Sequence, residues 1–235
     1  MAVDDLPGPV VNLLNVIGVP WPYVNEDTVT QFATLAREFG TAVQTTHQDS
    51  TAAVAGIAQA HQGASTQAMH SGWTTMSAQH VDELVTACGV LADALDVGAG
   101  YIVAQKLEAI ATLIGMAMAF IADQAASVFT LGLAETAVPL IIEGAEKLVK
   151  SLVMDLQQYL VGQVIEAAAK PLFAKVEAAM AGLDWSQSGG AAAPGTGFSI
   201  DPAGVRTQTE ALRTHAATMR QHGANFQQGV RGLNF

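Results

Sequence analysis

The sequence has little charge, and few of its charged side chains are basic. Charged residues make up 13% of the 235 residues, and 10 Lys and Arg face 21 Asp and Glu, which gives a formal net charge of −11 at pH 7. Binding of nucleic acid or of anionic lipid needs clustered Lys and Arg, because the protein must neutralise phosphate groups. The composition therefore argues against nucleic acid and against an anionic membrane surface as the main partner.

Cysteine is nearly absent as well, since Cys88 is the single one. One thiol cannot form an internal disulfide bond and cannot complete a zinc site of the four-cysteine kind. The cysteine count does not indicate a redox compartment, because a chain without disulfide bonds is compatible with oxidising and with reducing surroundings. On a helical seam of small residues, the expected role of Cys88 is that of a small buried thiol.

Motifs for catalysis, metal binding and phosphate binding are not found in the sequence. No two of the six histidines stand at i, i+4, the spacing that a metal pair on one helical face requires. The sequence contains no Gly-x-Ser-x-Gly elbow and no Gly-rich phosphate loop followed by Lys. We therefore expect no enzyme, no cofactor and no metal site. A site hidden in the bundle would have to use Cys88 and the histidines.

The N-terminal region has an apolar stretch at 9–20 but no basic residue before Arg37. A secretory signal peptide needs a positively charged start. We therefore expect residues 1–25 to be an apolar leader that packs over the end of a bundle, and any export to follow a route independent of a signal peptide.

Strand signals are scarce, and the residues that favour helix are common. Apolar and small residues recur at steps of three and four in two long runs, which is typical of amphipathic helices. Gly63 lies between the runs, so the simplest geometry is an antiparallel hairpin of residues 26–60 and 64–97. The sequence predicts an all-α fold, in which this hairpin is extended by further long helices into an elongated bundle. A valine at position 63 would disturb the turn if the φ angle there is positive.

The region after the hairpin is more apolar. Gly98 and Gly100 predict a junction, followed by a helix over 101–130 and a further helical stretch over 136–168. The 14 uncharged residues between Glu108 and Asp123 fall short of the roughly 20 that span a bilayer. A helix buried in a bundle is therefore favoured, and a pore or channel component that uses residues 109–142 is the alternative.

The C-terminal part begins after a linker rich in Gly, Ala and Pro. Asp201 is placed to cap a helix with Pro202 at its first position. An apolar residue then recurs every seven positions, at Val205, Leu212, Met219 and Phe226. This coiled-coil-like stripe has little to pack against alone, so we expect it to dock on the body or on a partner. The predicted organisation is a leader (1–25), a bundle domain (26–185), a linker (186–198) and a C-terminal amphipathic helix (199–235).

The spacing at the predicted turn resembles that of a known family. Gly63 stands at the turn and Trp73 comes ten residues after it. This arrangement resembles the Trp-x-Gly (WXG) family of type VII secretion substrates, whose two helices meet at a turn that carries the motif. The motif's tryptophan is replaced here, because the turn has the sequence His61-Gln62-Gly63.

The resemblance is closest to the WXG-like N-terminal domain of actinobacterial toxins that type VII (ESX) systems secrete, of the channel-forming necrotizing-toxin type. That group also has a Trp-Pro pair before the first helix, a lysine that opens the third helix and a Leu-Gly pair in the middle region. Here these features correspond to Trp21-Pro22, Lys106 and Leu131-Gly132. The resemblance covers about 1–185.

Two shorter similarities concern export. The Tyr-x-x-x-Asp pattern at Tyr23 and Asp27 resembles the family's export signal, although it precedes the hairpin rather than following it. Residues 198–202 and the helix after them resemble the start of small ESX secretion-associated proteins, which have an apolar-Asp-Pro opening and one long helix.

Together these resemblances imply a non-enzymatic type VII secretion substrate or trafficking module. Its hairpin would bind small WXG-family proteins in a hetero-oligomer of four helices and would engage the secretion machinery. The protein would be cytoplasmic before export and then secreted or held at the cell surface. The residues implied in partner binding and in the turn are His61, Gly63, Trp73, Trp21 and Pro22.

Overall fold

The computed structural model describes residues 6–77, 81–129, 138–170, 174 and 199–233. Over these residues the fold is all-α, as predicted, apart from two strands of two residues each. The elements are α1 (Gly8–Ile17), α2 (Glu26–Ala60), β1 (His61–Gln62), α3 (Ala64–Met76), α4 (Asp82–Phe129), α5 (Val138–Tyr159), a π-helical segment (Leu160–Ala169), β2 (Ser199–Ile200) and α6 (Pro202–Arg231). The predicted linker at 186–198 and the Leu131-Gly132 pair lie outside the described residues.

The helices α2, α3 and α4 form the predicted hairpin. Three contacts fix its direction: Thr51 with Trp73, Gly40 with Cys88, and Arg37 with Asp93. The residue numbers rise along α2 as they fall along the opposing helices, so the two sides run antiparallel. Residues 37–51 therefore lie against the part of the chain between Trp73 and Asp93, as the predicted pairing of 26–60 with 64–97 requires. The second side consists of two helices, since α3 ends at Met76 and α4 begins at Asp82.

The predicted junction at Gly98 and Gly100 is wrong, because α4 runs without interruption from Asp82 to Phe129. A glycine inside a helix costs about 1 kcal/mol relative to alanine. The adjacent residues Ala99 and Ile102 are buried, and their burial offsets that cost. Lys106 consequently lies in the middle of α4 and does not open a helix.

By its contacts the chain divides into two compact units. Unit 1 comprises Met1–Gln31, Ala94–Ile165 and Asn234–Phe235, and unit 2 comprises Phe32–Asp93 and Glu166–Leu233.

Unit 1 has a core of large apolar side chains. α1 packs against α5 and ends at Gly18, whose φ of 67° is left-handed and suits glycine. The apolar N-terminal stretch thus forms a helix that contributes Val10, Leu13 and Leu14 to this core. The other buried apolar side chains of unit 1 are Trp21, Val29, Leu95, Ala99, Ile102, Ala109, Ile110, Leu113, Ala117, Ala145, Val149, Leu152 and Leu156.

Unit 2 has a core of smaller side chains along α2 and the start of α4. Its buried apolar residues are Ala33, Ala36, Val43, Ala53, Val54, Ile57, Cys88, Leu91 and Ala92. Helices with small residues on the facing sides approach closely, and at Gly40 the backbone of α2 lies directly against Cys88.

The C-terminal helix α6 packs along α2 within unit 2, so of the two expected sites, the body or a partner, it occupies the first. Asp201 caps α6 through a hydrogen bond from Ala203 N, with Pro202 in the first turn. The contacts follow one antiparallel register: Gly204 with Ala60, Gln208 with Gly56, His222 with Thr46, Phe226 with Phe39, and Gly229 with Leu35.

Among the described residues, one helical stretch is long and apolar enough to cross a membrane, namely Asp82–Asp123, which contains an 18-residue window with a mean hydropathy of 1.5. This property rests on length and composition alone, and the core helix of a soluble protein shares it. In its most apolar window, 44% of the residues are buried inside the protein.

Candidate partner-binding site

The hairpin turn is built by residues 61–63. β1 pairs antiparallel with β2, with His61 opposite Ile200 and Gln62 opposite Ser199. The imidazole of His61 links the same segments, because Nδ1 lies 3.2 Å from the carbonyl oxygen of Ser199 and Nε2 lies 3.2 Å from Ser65 Oγ. His61 therefore links the turn to β2 and to the start of α3.

The backbone of Gly63 is extended, with φ 174° and ψ 172°. The condition of a positive φ at this glycine is therefore not met, and a side chain at position 63 meets no left-handed backbone strain. Gly63 contributes its carbonyl oxygen, which accepts hydrogen bonds from Thr66 N and Gln67 N and opens α3.

Trp73 joins α3 to α2. Its ring is half-buried and stacks on His47, with 5.2 Å between the ring centroids and 13° between the planes. Its Nε1 donates a hydrogen bond of 3.0 Å to Thr51 Oγ1. Trp73 thus supplies both apolar contact and a directional bond, which sets the register of α3 on α2.

His47 is the centre of this cluster and is 7% exposed. Its Nε2 forms a hydrogen bond of 2.6 Å with Ser77 Oγ at the end of α3. Burial lowers the pKa of His47, and the nearby carboxylate of Asp82 opposes part of that change. Helical periodicity gives no indication that His47 contacts Trp73 and Ser77.

The Trp21-Pro22 pair belongs to unit 1. Trp21 is 4% exposed, and its Nε1 has no hydrogen-bond partner within the described part of the chain. The Trp21 side chain is therefore part of the core of unit 1. Tyr23, by contrast, is 70% exposed, and Asp27 is exposed in the first turn of α2. Both side chains are therefore accessible to solvent.

A buried ion pair lies at the start of α2 in unit 1, and the sequence patterns did not predict it. Lys106 Nζ lies 2.9 Å from Glu26 Oε2 and also donates a hydrogen bond of 2.7 Å to the carbonyl oxygen of Val24. The Lys106 side chain is fully buried and that of Glu26 is 4% exposed. The available signal was an isolated lysine in an apolar helix, since a lysine is almost never buried without a partner.

The four residues of the tail stripe are half-buried against the body: Val205, Leu212, Met219 and Phe226. Phe226 makes the clearest contact, because its ring stacks on Phe39 with 4.8 Å between centroids. A cavity of about 170 Å³ remains beside it, between α2 and α6. No residue of α6 is buried, so α6 is the least tightly packed of the long helices.

The described residues offer little for chemistry. They contain no group of three or more His, Cys, Asp or Glu side chains arranged to hold a metal ion. Cys88 is buried as expected, and burial raises the pKa of its thiol, which makes it a poor nucleophile. What the geometry does supply is an antiparallel hairpin, in which the stacked rings of Trp73 and His47 join α3 to α2.

Comparison with known proteins agrees with this geometry. No curated protein matches the sequence, and no solved structure matches it. The model of the family described as "WXG100 like domain" matches residues 3–143, which is more than half of the 235 residues. The matched region contains all of α2, α3 and α4, and the chain belongs to the WXG100-like domain family.

Proposed function

We propose that the protein is a substrate or trafficking module of type VII secretion, and that it binds a small WXG-type protein through the hairpin of α2, α3 and α4. The observation that carries the proposal is the hairpin itself, in a chain of this family. Its two sides are held in register by Trp73, His47 and Thr51, so the hairpin presents a preformed helical surface.

The outer face of α3 suits such a partner. Ala64, Ala68 and Gly72 follow one another at steps of four and are exposed. Small residues at this spacing allow a second helix to approach closely. A four-helix arrangement would bury this face against the partner's hairpin.

The test is co-expression of the full chain with a small WXG-family protein from the same genome, followed by size-exclusion chromatography. We expect one co-eluting complex. An Ala68→Arg variant should elute separately from the partner, whereas Gln59→Arg, at an exposed position near the end of α2, should leave co-elution unchanged. A chain that remains monomeric with the partner present would contradict the proposal.

The narrower resemblance supports a more specific proposal, that the module comes from an actinobacterial ESX toxin of the necrotizing-toxin type with a tail like that of ESX secretion-associated proteins. Export would then use Tyr23 and Asp27, both exposed, by a route without a signal peptide. Replacing Tyr23 by alanine should abolish appearance of the protein in the culture medium and leave its cellular amount unchanged.

A second candidate function is a pore or channel component that uses residues 109–142. The length and apolar character of Asp82–Asp123 favour it. Release of an encapsulated dye from phosphatidylcholine vesicles by the purified full chain would support this function, and intact vesicles would contradict it.

A further inference from the structure

Helix α4 carries a second apolar face, which the core of unit 1 does not use. Its buried side is formed by Ala99, Ile102, Ala109, Leu113 and Ala117. On the other side five large apolar side chains are exposed: Val97 (62%), Leu107 (52%), Ile114 (39%), Met118 (57%) and Ile121 (49%). Together with the exposed Ala104 and Ala111, they are called the α4 stripe below.

The α4 stripe has the spacing of a coiled-coil seam. Its members fall in two series with steps of seven: Val97, Ala104, Ala111 and Met118 in one, and Leu107, Ile114 and Ile121 in the other. The second series lies three residues after the first, as positions d and a of a heptad do. The stripe is about 36 Å long at the rise of an α-helix. A seam of this width and length matches one face of a partner helix.

The pattern of large and small side chains adds to this fit. Ala104 and Ala111 alternate along the stripe with the bulky Leu107 and Ile114. The alanines leave depressions that side chains of a second helix fill, while the large residues project into the depressions of the partner. Apolar faces of this kind on soluble proteins mark interaction sites.

The charges near the α4 stripe indicate which kind of partner helix would bind there. The charged residues of α4 between 94 and 123 are Asp96, Lys106, Glu108 and Asp123. Lys106 is fully buried and paired with Glu26 on the other face of the helix. The charges that adjoin the stripe in sequence are therefore carboxylates, namely Asp96 next to Val97 and the exposed Glu108 next to Leu107. Basic residues on a partner would complement them.

We propose that the α4 stripe is a docking surface for an amphipathic helix of another protein, whose apolar heptad seam is flanked by Lys and Arg. A second copy of this chain fits less well, because its net charge is −11 and pairing would bring like charges together. A bilayer fits less well too, because Glu108 would enter the hydrocarbon with Leu107. The stripe lies in unit 1, whereas the α3 face proposed for the small WXG-type protein lies in unit 2.

The experiment measures binding of a synthetic helical peptide of about 25 residues, the length of the stripe. The peptide has Leu at d, Ala at a and Lys at the flanking e and g positions, and a matched peptide has Glu in place of every Lys. Fluorescence anisotropy with the full chain should show binding of the Lys peptide that weakens with added salt. The Glu peptide should bind at least about tenfold more weakly, since like charges would then adjoin across the seam.

Variants of the chain test whether the peptide binds specifically at the α4 stripe or binds any exposed apolar side chain. The double variant Leu107→Gln, Ile114→Gln should weaken binding of the Lys peptide by at least about tenfold, because two large contacts are lost. The matched control is Leu140→Gln, Met154→Gln on α5, which removes two apolar side chains (70% and 55% exposed) that are more exposed than the two replaced in the stripe, and it should leave binding unchanged. Circular dichroism checks that each variant is folded. A further variant, Ala111→Gln, fills a depression of the stripe without removing a large apolar side chain.

Three results would overturn the proposal. The first is equal binding by the stripe variants and the wild-type chain, or equal binding of the Lys and Glu peptides. The second is self-association in sedimentation velocity that the stripe variants abolish, which would assign the stripe to a second copy. The third is flotation with phosphatidylcholine vesicles that depends on Leu107 and Ile114, which would assign it to a membrane. Loss of the complex with the small WXG protein through Ala68→Arg, with peptide binding intact, would separate the two surfaces.

Discussion

The two units of the chain use different means to hold helices together. In unit 1, the core consists of large apolar side chains such as Leu113 and Leu156, and the unit also contains a buried ion pair. In unit 2, small side chains bring the helices close, and polar bonds fix them, as between Trp73 and Thr51 or between Thr46 and His222. Such hydrogen bonds contribute about 1 kcal/mol each, so the helices of unit 2 are held by several weak directional contacts, whereas those of unit 1 are held mainly by apolar burial.

The largest expected effect concerns the ion pair of unit 1. Replacing Lys106 by alanine leaves the carboxylate of Glu26 buried without its cation, and breaking such a pair costs roughly 3–5 kcal/mol. Chemical denaturation of the full chain followed by circular dichroism measures the free energy of unfolding. The double variant Glu26→Gln, Lys106→Met removes both charges and should recover most of the loss. Equal stability of Lys106→Ala and the wild-type chain would show that the pair contributes nothing.

A smaller effect is expected at Trp73 in unit 2. Full burial of the indole would imply a cost of about 3 kcal/mol for Trp73→Ala, but the ring is only half-buried. We therefore expect about 2 kcal/mol, from lost apolar contact and the lost bond to Thr51. Trp73→Phe keeps the stack on His47 and should cost about half as much. An unchanged thermal melt of Trp73→Ala would show that its contacts with α2 do not stabilise the hairpin.

Much of the fold was predictable because helical periodicity is local. The steps of three and four gave the hairpin, and Asp201 with Pro202 gave the start of α6. The glycine pattern was misleading at Gly98 and Gly100, because the packing of neighbouring side chains outweighs a local cost. Local patterns also cannot pair residues that are distant in sequence, so the bond between Glu26 and Lys106, 80 positions apart, was not found.

The candidate site was predictable in part for the same reason. Trp73 and Gly63 stood out by their spacing, and Trp73 does contact the opposing helix. The sequence did not indicate that His61 would bridge β2 and α3, or that His47 would stack under the indole. Both contacts depend on which helical faces meet, and this is decided by the packing of the whole hairpin.

The smallest expected effect is a dependence of stability on pH that arises from His47. Burial lowers the pKa of His47 below its ordinary value of 6.5, so the unfolded chain binds a proton more readily than the folded one. Stability is therefore complete above the unfolded pKa and is lost as the pH falls from 6.5 towards the lower pKa of the folded state.

His47→Gln retains a polar group near Ser77 but does not titrate, so thermal melts across this pH range should show a shallower dependence on pH than the wild-type chain. His70→Gln is the matched control, because His70 is exposed on α3 and should leave the slope as it is. If both variants show the same dependence of stability on pH as the wild-type chain, the sensitivity to acid comes from other groups. Protonation of His47 then does not affect the stability of unit 2.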